Sequence, residues 1–192
     1  KPEPGNPGPA YFTRLESPLG ARLTETADRI GAGRTDLSGR LESLRQFFET
    51  NFIYTTTVVN DSNSPPLENF LFVEKRGYCD FFASASALLL RHMGIPSRVA
   101  CGYMGGEPDP ATDSWIFQEF HAHSWTEVYV EGRGWVICDF TPPSSDSPSL
   151  AGNPPPSLNL AAFQDAGTGG LKRESKRSHQ AASHPSAWVP AI

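Results

Sequence analysis

The segment 80–92, rich in Ala, Ser and Leu and free of Gly and Pro, constrains this chain more than any other stretch. It predicts a helix, and Gly94 and Pro96 stand where residues past a helix end are expected. Cys79 immediately precedes that helix. The unpaired backbone N–H groups and the positive end of the helix dipole at such a position favour a thiolate over a thiol. The same N–H groups can donate to the oxyanion formed when a thiolate attacks a carbonyl. Against this stands the ordinary fate of a lone cysteine, which is burial as a small apolar side chain. Cys101 and Cys138 fit that plainer reading. Three cysteines cannot all pair with one another, so at least one thiol is free or bonded elsewhere, and Cys79 is the candidate.

Apolar residues recur at helical spacing in Leu23, Ala27 and Ile30, and again in Leu37, Leu41, Leu44 and Phe48. The second run follows Thr35-Asp36, a capping-type pair, so two amphipathic helices are expected ahead of the Cys79 helix. Residues 52–59 are rich in Thr, Val, Ile and aromatics and read as extended chain, which the turn-forming residues 60–66 break. Three β-like segments follow at 98–103, 125–131 and 134–140, the last two joined by Gly132-Arg133. Helices first and an antiparallel sheet afterwards indicate an α+β domain.

The 38% hydrophobic fraction lies below the ~45–50% usual for compact domains, a benchmark that counts Gly, and the 18 prolines are unevenly placed. Residues 1–15 read as an extended lead-in, 16–143 as one catalytic domain, and 144–192 as a low-complexity tail that cannot support a packed core. Lys172-Arg173 and Lys176-Arg177 within that tail read as a solvated charge run, with contact to acidic lipid head groups as the alternative if a membrane anchor follows. A net charge of −5 provides no basic field for nucleic acid, which is not expected as a partner. No stretch reaches the ~18 consecutive apolar residues of a membrane-spanning helix. The opening Lys-Pro-Glu-Pro-Gly-Asn carries neither Met nor a signal-peptide pattern, so the sequence reads as a soluble segment of something longer.

His123 opens the segment His-Ser-Trp-Thr-Glu-Val-Tyr-Val and therefore sits at the edge of a strand, as an oriented base requires. Asp139 lies near the end of the next strand. Arms of similar length flank Gly132-Arg133, so a hairpin there brings the start of one strand beside the end of the other. A carboxylate on one ring nitrogen fixes the tautomer and leaves the other nitrogen to take a thiol proton. Taken singly, each of these residues has a structural explanation at least as good.

Four blocks change that balance when taken together: Gly77-Tyr78-Cys79-Asp80-Phe81-Phe82-Ala83, Arg91-His92-Met93-Gly94-Ile95-Pro96-Ser97-Arg98-Val99, His123-Ser124-Trp125-Thr126-Glu127-Val128, and Gly134-Trp135 through Asp139-Phe140-Thr141-Pro142. In this order they resemble the transglutaminase-like core of bacterial cysteine proteases and transglutaminases, a papain-related fold, over about residues 41–143. The resemblance implies Cys79 as nucleophile, His123 as general base and Asp139 as the orienting acid, with 67–73 matching the run before the Cys helix. Tyr78, His121 and Trp125 are then the residues expected to contact substrate or support the triad. His121 occupies a position that is often an acid in bacterial members, which makes it a competitor for the base role, although the Trp two residues beyond His123 favours His123. An exposed loop histidine is the simpler reading of His121. Phe140 stands where the family usually has Pro, a change that leaves the carboxylate and Thr141 in place. Trp115, Trp125 and Trp135 are candidates for an acyl-binding cleft, yet aromatics on neighbouring strands are more often core. Core is favoured for Trp135, and Trp125 stays open.

The chemistry expected is attack of Cys79 on an amide carbonyl of a protein or peptide, a thioester, and transfer of the acyl group to water or to an amine. The triad does not choose between these acceptors. A catalytically silent binding domain of the same fold is the competing function. A metal site from Cys79, His121 and His123 is disfavoured because paired zinc-ligand spacing is missing. No cofactor is expected, and no sequence signal for calcium sites is seen. An extracytoplasmic setting, periplasmic or cell-surface, is expected over a cytoplasmic one, with any membrane tether outside this segment.

Overall fold

Helix formation follows the apolar spacing. The computed structural model describes residues 7–15, 19–58 and 63–143. Helix α1 spans Gly20–Gly31 and buries Leu23, Ala27 and Ile30. Helix α2, Leu37–Asn51, starts at Asp36, whose carboxylate accepts a hydrogen bond from Gly39 N at 2.8 Å, and buries Leu41, Leu44 and Phe48. The extended segment expected over 52–59 contracts to β1, Ile53–Tyr54, paired in parallel with β2, Arg76–Gly77. Between these two strands lie a short helix α3, Pro66–Asn69, and a wide π-type turn, Phe70–Glu74.

Helix α4 runs from Cys79 to His92, so Cys79 is its first residue and Tyr78 its N-cap. Gly94 ends it at φ +76°, donating to Arg91 O at 2.9 Å while Ile95 N donates to Leu90 O at 2.9 Å. That pair of bonds requires a left-handed residue, the reason glycine stands there.

The chain then forms an antiparallel sheet of β3 (Ser97–Tyr103), β6 (Ala122–Val130) and β7 (Gly134–Cys138), with β6 in the centre. A small hairpin of β4 (Glu107–Asp109) and β5 (Ser114–Ile116) intervenes between β3 and β6. Its strands are too short and too exposed to show apolar alternation, which is why periodicity misses it. Asp109 turns it, accepting from Ala111 N at 2.9 Å and from the Thr112 hydroxyl at 2.6 Å.

The core centres on Phe48, fully buried, with the rings of Phe52, Phe82 and Phe70 at 5.1, 5.5 and 6.5 Å. Helix α4 closes it from one side with Phe82, Leu89 and Leu90, and β6 with Val128 and Val130. One polar seam crosses the contact between α4 and β6. The hydroxyls of Ser86 and Thr126 lie 2.6 Å apart, and each reaches Ala83 O at 3.1 Å. Both side chains are fully buried, so these bonds replace water entirely.

Two expectations are corrected. Residues Pro9–Thr13 of the anticipated extended lead-in form a 3-10 turn, and Phe12 meets Trp135 edge-on at 4.8 Å. Trp135 is accordingly not core: it is half-buried on the outer face, between Phe12, Tyr129 at 5.5 Å and the Arg98 guanidinium at 4.2 Å. The expected tail, with its basic cluster, lies outside the described residues.

Thr126→Val keeps the shape of the side chain but removes its bonds to the Ser86 hydroxyl and the Ala83 carbonyl, while Ser86 still donates within its own helix, to Phe82 O at 2.6 Å. It is expected to cost about 1–3 kcal/mol, read as a lower midpoint in urea unfolding with an unchanged slope. An unchanged midpoint would show that the seam contributes nothing.

Candidate active site

The hairpin register decides where His123 and Asp139 stand. Val130 pairs with Gly134, Val128 with Val136 and Thr126 with Cys138, so the connection is 131–133 rather than the two-residue Gly132-Arg133 turn. Continued one step past the ladder, this register sets Asp139 level with Trp125 and diagonal to His123 on the same face. The diagonal suits a long contact. His123 Nε2 and Asp139 Oδ2 are 2.6 Å apart, and both side chains are almost fully buried. Asp139 is pinned from its other oxygen, Oδ1, which accepts from Thr141 N at 2.9 Å.

Burial pushes the His123 imidazole toward its neutral form. Hydrogen bonds to Asp139 and Cys79, with the charges of both, outweigh it and raise the ring to about 9. With Nε2 on Asp139, Nδ1 is the nitrogen left to meet the Cys79 sulfur. Cys79 is half-buried at the start of α4. Trp125, buried, stacks parallel to the imidazole with ring centroids 6.4 Å apart. Gly102, opposite His123 across the ladder, makes room for that indole: a Cβ there would lie 3.0 Å from the Trp125 ring.

Two residues missed by sequence reasoning join the site. Asp80 Oδ1 lies 3.8 Å from the Cys79 sulfur and accepts from Ser124 Oγ at 2.6 Å. The residue after Cys79 is thus bonded to the residue after His123, a link whose only sequence signal is that both are polar neighbours of the two candidates. Ser124 also approaches the sulfur of Cys101 at 3.3 Å. Tyr78 and Asp80 are among the residues that line an open, mainly apolar groove of about 400 Å³.

His121 is corrected from an exposed loop position to a buried one. Its Nδ1 accepts from Gln118 N at 2.9 Å, closing its own 3-10 turn, Glu119–His121, and its ring lies 4.2 Å from that of Phe120. The structure does not bring it into the Cys79–His123–Asp139 group. Trp115 is exposed on β5. Cys138 is buried, and burial first, then the Glu127 and Asp139 charges, hold it strongly as a thiol. Cys101 is exposed.

The model of the transglutaminase-like superfamily matches residues 24–140. The chain belongs to this superfamily. It is similar to the protein-glutamine gamma-glutamyltransferase of Pseudomonas aeruginosa, 37% identical over 120 residues that make up 62% of this chain and 18% of the relative. It is also 31% identical to the uncharacterized protein YebA of Bacillus subtilis over 137 residues, 68% of this chain and 19% of that protein. The chain therefore spans under a fifth of the length of these two relatives. Among solved structures, the periplasmic domain of TgpA from Pseudomonas aeruginosa bound to ethylmercury superposes with a TM-score of 0.61 at 31% identity, covering 68% of this chain and 47% of that one. The α+β architecture of helices and antiparallel sheet is that of this superfamily.

The raised His123 value makes folding and protonation favour each other. The stabilisation is complete below the ordinary value of 6.5 and is lost as pH rises toward about 9. The melting temperature is therefore expected to fall between these pH values, and to fall less steeply in His123→Ala. Parallel curves for the two proteins would show that His123 is not held protonated.

Proposed function

We propose that the chain is a thiol-dependent acyltransferase in which Cys79 is the nucleophile, His123 the acid and base, and Asp139 the residue that orients His123. The observation that carries this reading is the buried His123–Asp139 pair, with Cys79 at the start of α4 interacting electrostatically with the same imidazole. The Cys79 thiolate attacks a carboxamide carbon and forms a C–S bond. As the oxyanion collapses, the C–N bond breaks and the leaving nitrogen takes the proton of the His123 imidazolium. The N–H groups that open α4 are placed to donate to that oxyanion. A thioester on Cys79 remains, which water or an amine then resolves.

Similarity to a protein-glutamine gamma-glutamyltransferase supports the side-chain carboxamide of a protein-bound glutamine as the acyl donor. We assign the catalytic domain to residues 16–143. Likeness to a periplasmic domain supports an extracytoplasmic site of action. Among the described residues no helix is long and apolar enough to cross a membrane. Tyr78 and Trp125 are read as substrate-facing and ring-orienting, and His121 as support for the loop before β6.

Iodoacetamide labelling followed by mass spectrometry tests the reading. Cys79 is expected to react faster than Cys101 near pH 7, and His123→Ala to remove that advantage while His121→Ala keeps it. Equal rates at Cys79 and Cys101 would sink the proposal. Asp139→Asn is expected to lower turnover of a glutaminyl peptide by about 10²–10⁴. Acylation of the wild type should decline as pH passes about 9, because the imidazolium that protonates the leaving nitrogen is then lost.

A further inference from the structure

His121 is 3% exposed, and the triad makes no use of it. Its Nδ1 accepts from Gln118 N at 2.9 Å, and its own N–H donates to the Gln118 carbonyl at 2.9 Å, so residues 118–121 close on themselves. Its carbonyl accepts from Met104 N at 2.8 Å and extends the β3–β6 pairing by one step. Phe120 covers the ring with centroids 4.2 Å apart, and Phe117 approaches it edge-on at 6.3 Å. Phe117 leans in turn on Tyr103 at 5.6 Å and on Gly106, where a Cβ would lie 2.6 Å from its ring. Two residues beyond His121 stands His123.

A ring nitrogen that accepts from a backbone N–H carries no proton of its own. Protonation turns Nδ1 into a donor facing the Gln118 N–H, and the bond that closes the turn is lost. The new charge is also buried without an anion, which is costly. Glu119 in the same turn, and Glu107 and Asp113 on the β4–β5 hairpin, are exposed, while Asp109 is occupied by Ala111 N and the Thr112 hydroxyl. Tyr103 on β3 meets Phe117, and His123 on β6 is paired with Asp139. No ion pair among the described residues involves His121. We propose that His121 is a proton-sensitive latch: neutral, it closes the turn that leads into β6, and protonated, it releases that turn and the Phe117 and Phe120 rings packed on it.

Histidine is the side chain whose ordinary charge change falls between about pH 5 and 8. His123 does not share that range: burial lowers it, but Asp139 and Cys79 outweigh burial and raise the ring to about 9. Its bond to Asp139, which Thr141 N also holds, therefore persists while the turn opens. His92, the other histidine among the described residues, ends α4 against Thr24, and burial lowers it. The latch is a property of the fold, and only its effect on turnover rests on the acyl-transfer reading above. On that reading the released turn weakens the hold on a peptide substrate beside His123 and leaves the triad assembled.

Nuclear magnetic resonance of the isotope-labelled full chain, titrated from about pH 8 to about pH 5, tests the latch. At the upper end the His121 ring is expected in the Nε2–H form, with the Gln118 amide slow to exchange. As His121 takes up its proton, the protection of that amide should fall about tenfold, the order expected for one lost hydrogen bond. His121→Asn, whose Oδ1 can accept from the same N–H and does not titrate, should keep the protection to the lowest pH. His121→Ala should lack it throughout. A His121 ring that stays neutral over the whole range, protection that outlasts its protonation, or loss in His121→Asn at the wild-type midpoint would each overturn the proposal. The wild-type titration decides alone if a variant does not fold. Near pH 7, His121→Ala should raise KM for a glutaminyl peptide several-fold and His121→Asn should restore it, while Cys79 keeps its labelling advantage over Cys101 in both. Equal KM values in all three proteins would overturn the link between turn and site. A wild type that labels Cys79 no faster than Cys101 sinks the acyl-transfer reading and leaves the latch standing.

Discussion

The fold and the site both depend on the polar seam between α4 and β6. Ser86, Thr126 and the carbonyls of Phe82 and Ala83 satisfy one another where no water reaches them. A buried hydroxyl without a partner is costly, so this arrangement tolerates one register of helix against strand and penalises its neighbours. Alternate residues of β6 then take different duties. Ser124 and Thr126 reach α4, through Asp80 and Ser86. His123 and Trp125, on the other set, turn toward Asp139. Since α4 begins at Cys79, fixing the helix against the strand also fixes sulfur against imidazole.

The electrostatics are built in a similar layered way. Burial alone drives a histidine toward neutrality, and His123 is nearly without solvent contact. The ring is raised to about 9 nonetheless, because Asp139 and Cys79 together outweigh burial, and Asp139 is held by Thr141 N on one oxygen and by the ring on the other. A carboxylate already in position needs no reorganisation when the imidazolium forms. The indole of Trp125 beside the ring, and the missing side chain at Gly102, keep the imidazole from swinging away.

Much of this is legible in the sequence because it rests on local rules. The 3.6-residue spacing of Leu37, Leu41, Leu44 and Phe48 yields α2, Asp36 caps it, and Gly94 ends α4. The approximate meeting of His123 and Asp139 follows from a hairpin of two similar arms. The offset does not follow, because Glu131 joins the connection and shifts the pairing, and no residue type announces that count. Trp135 and His121 escape sequence reasoning for a related reason. Whether a large side chain is covered depends on how the chain packs around it, Phe12 against Trp135 in one case and Phe117 and Phe120 about the His121 ring in the other. The link between Asp80 and Ser124 is tertiary as well and cannot be read from either block alone.

That link also bears on the surroundings of the Cys79 sulfur. A helix start favours a thiolate through its dipole, equivalent to roughly half a positive charge. Asp80 places a full negative charge in the same turn, 3.8 Å from the sulfur, which offsets that field. What the helix start still supplies is position and the unpaired N–H groups of a first turn. Across from the sulfur, Asp139 and Cys79 together raise the His123 ring, and Asp139 holds that ring in place. On the acyl-transfer reading proposed above, Cys79 then depends more on the strand pair across from it than on the helix it begins.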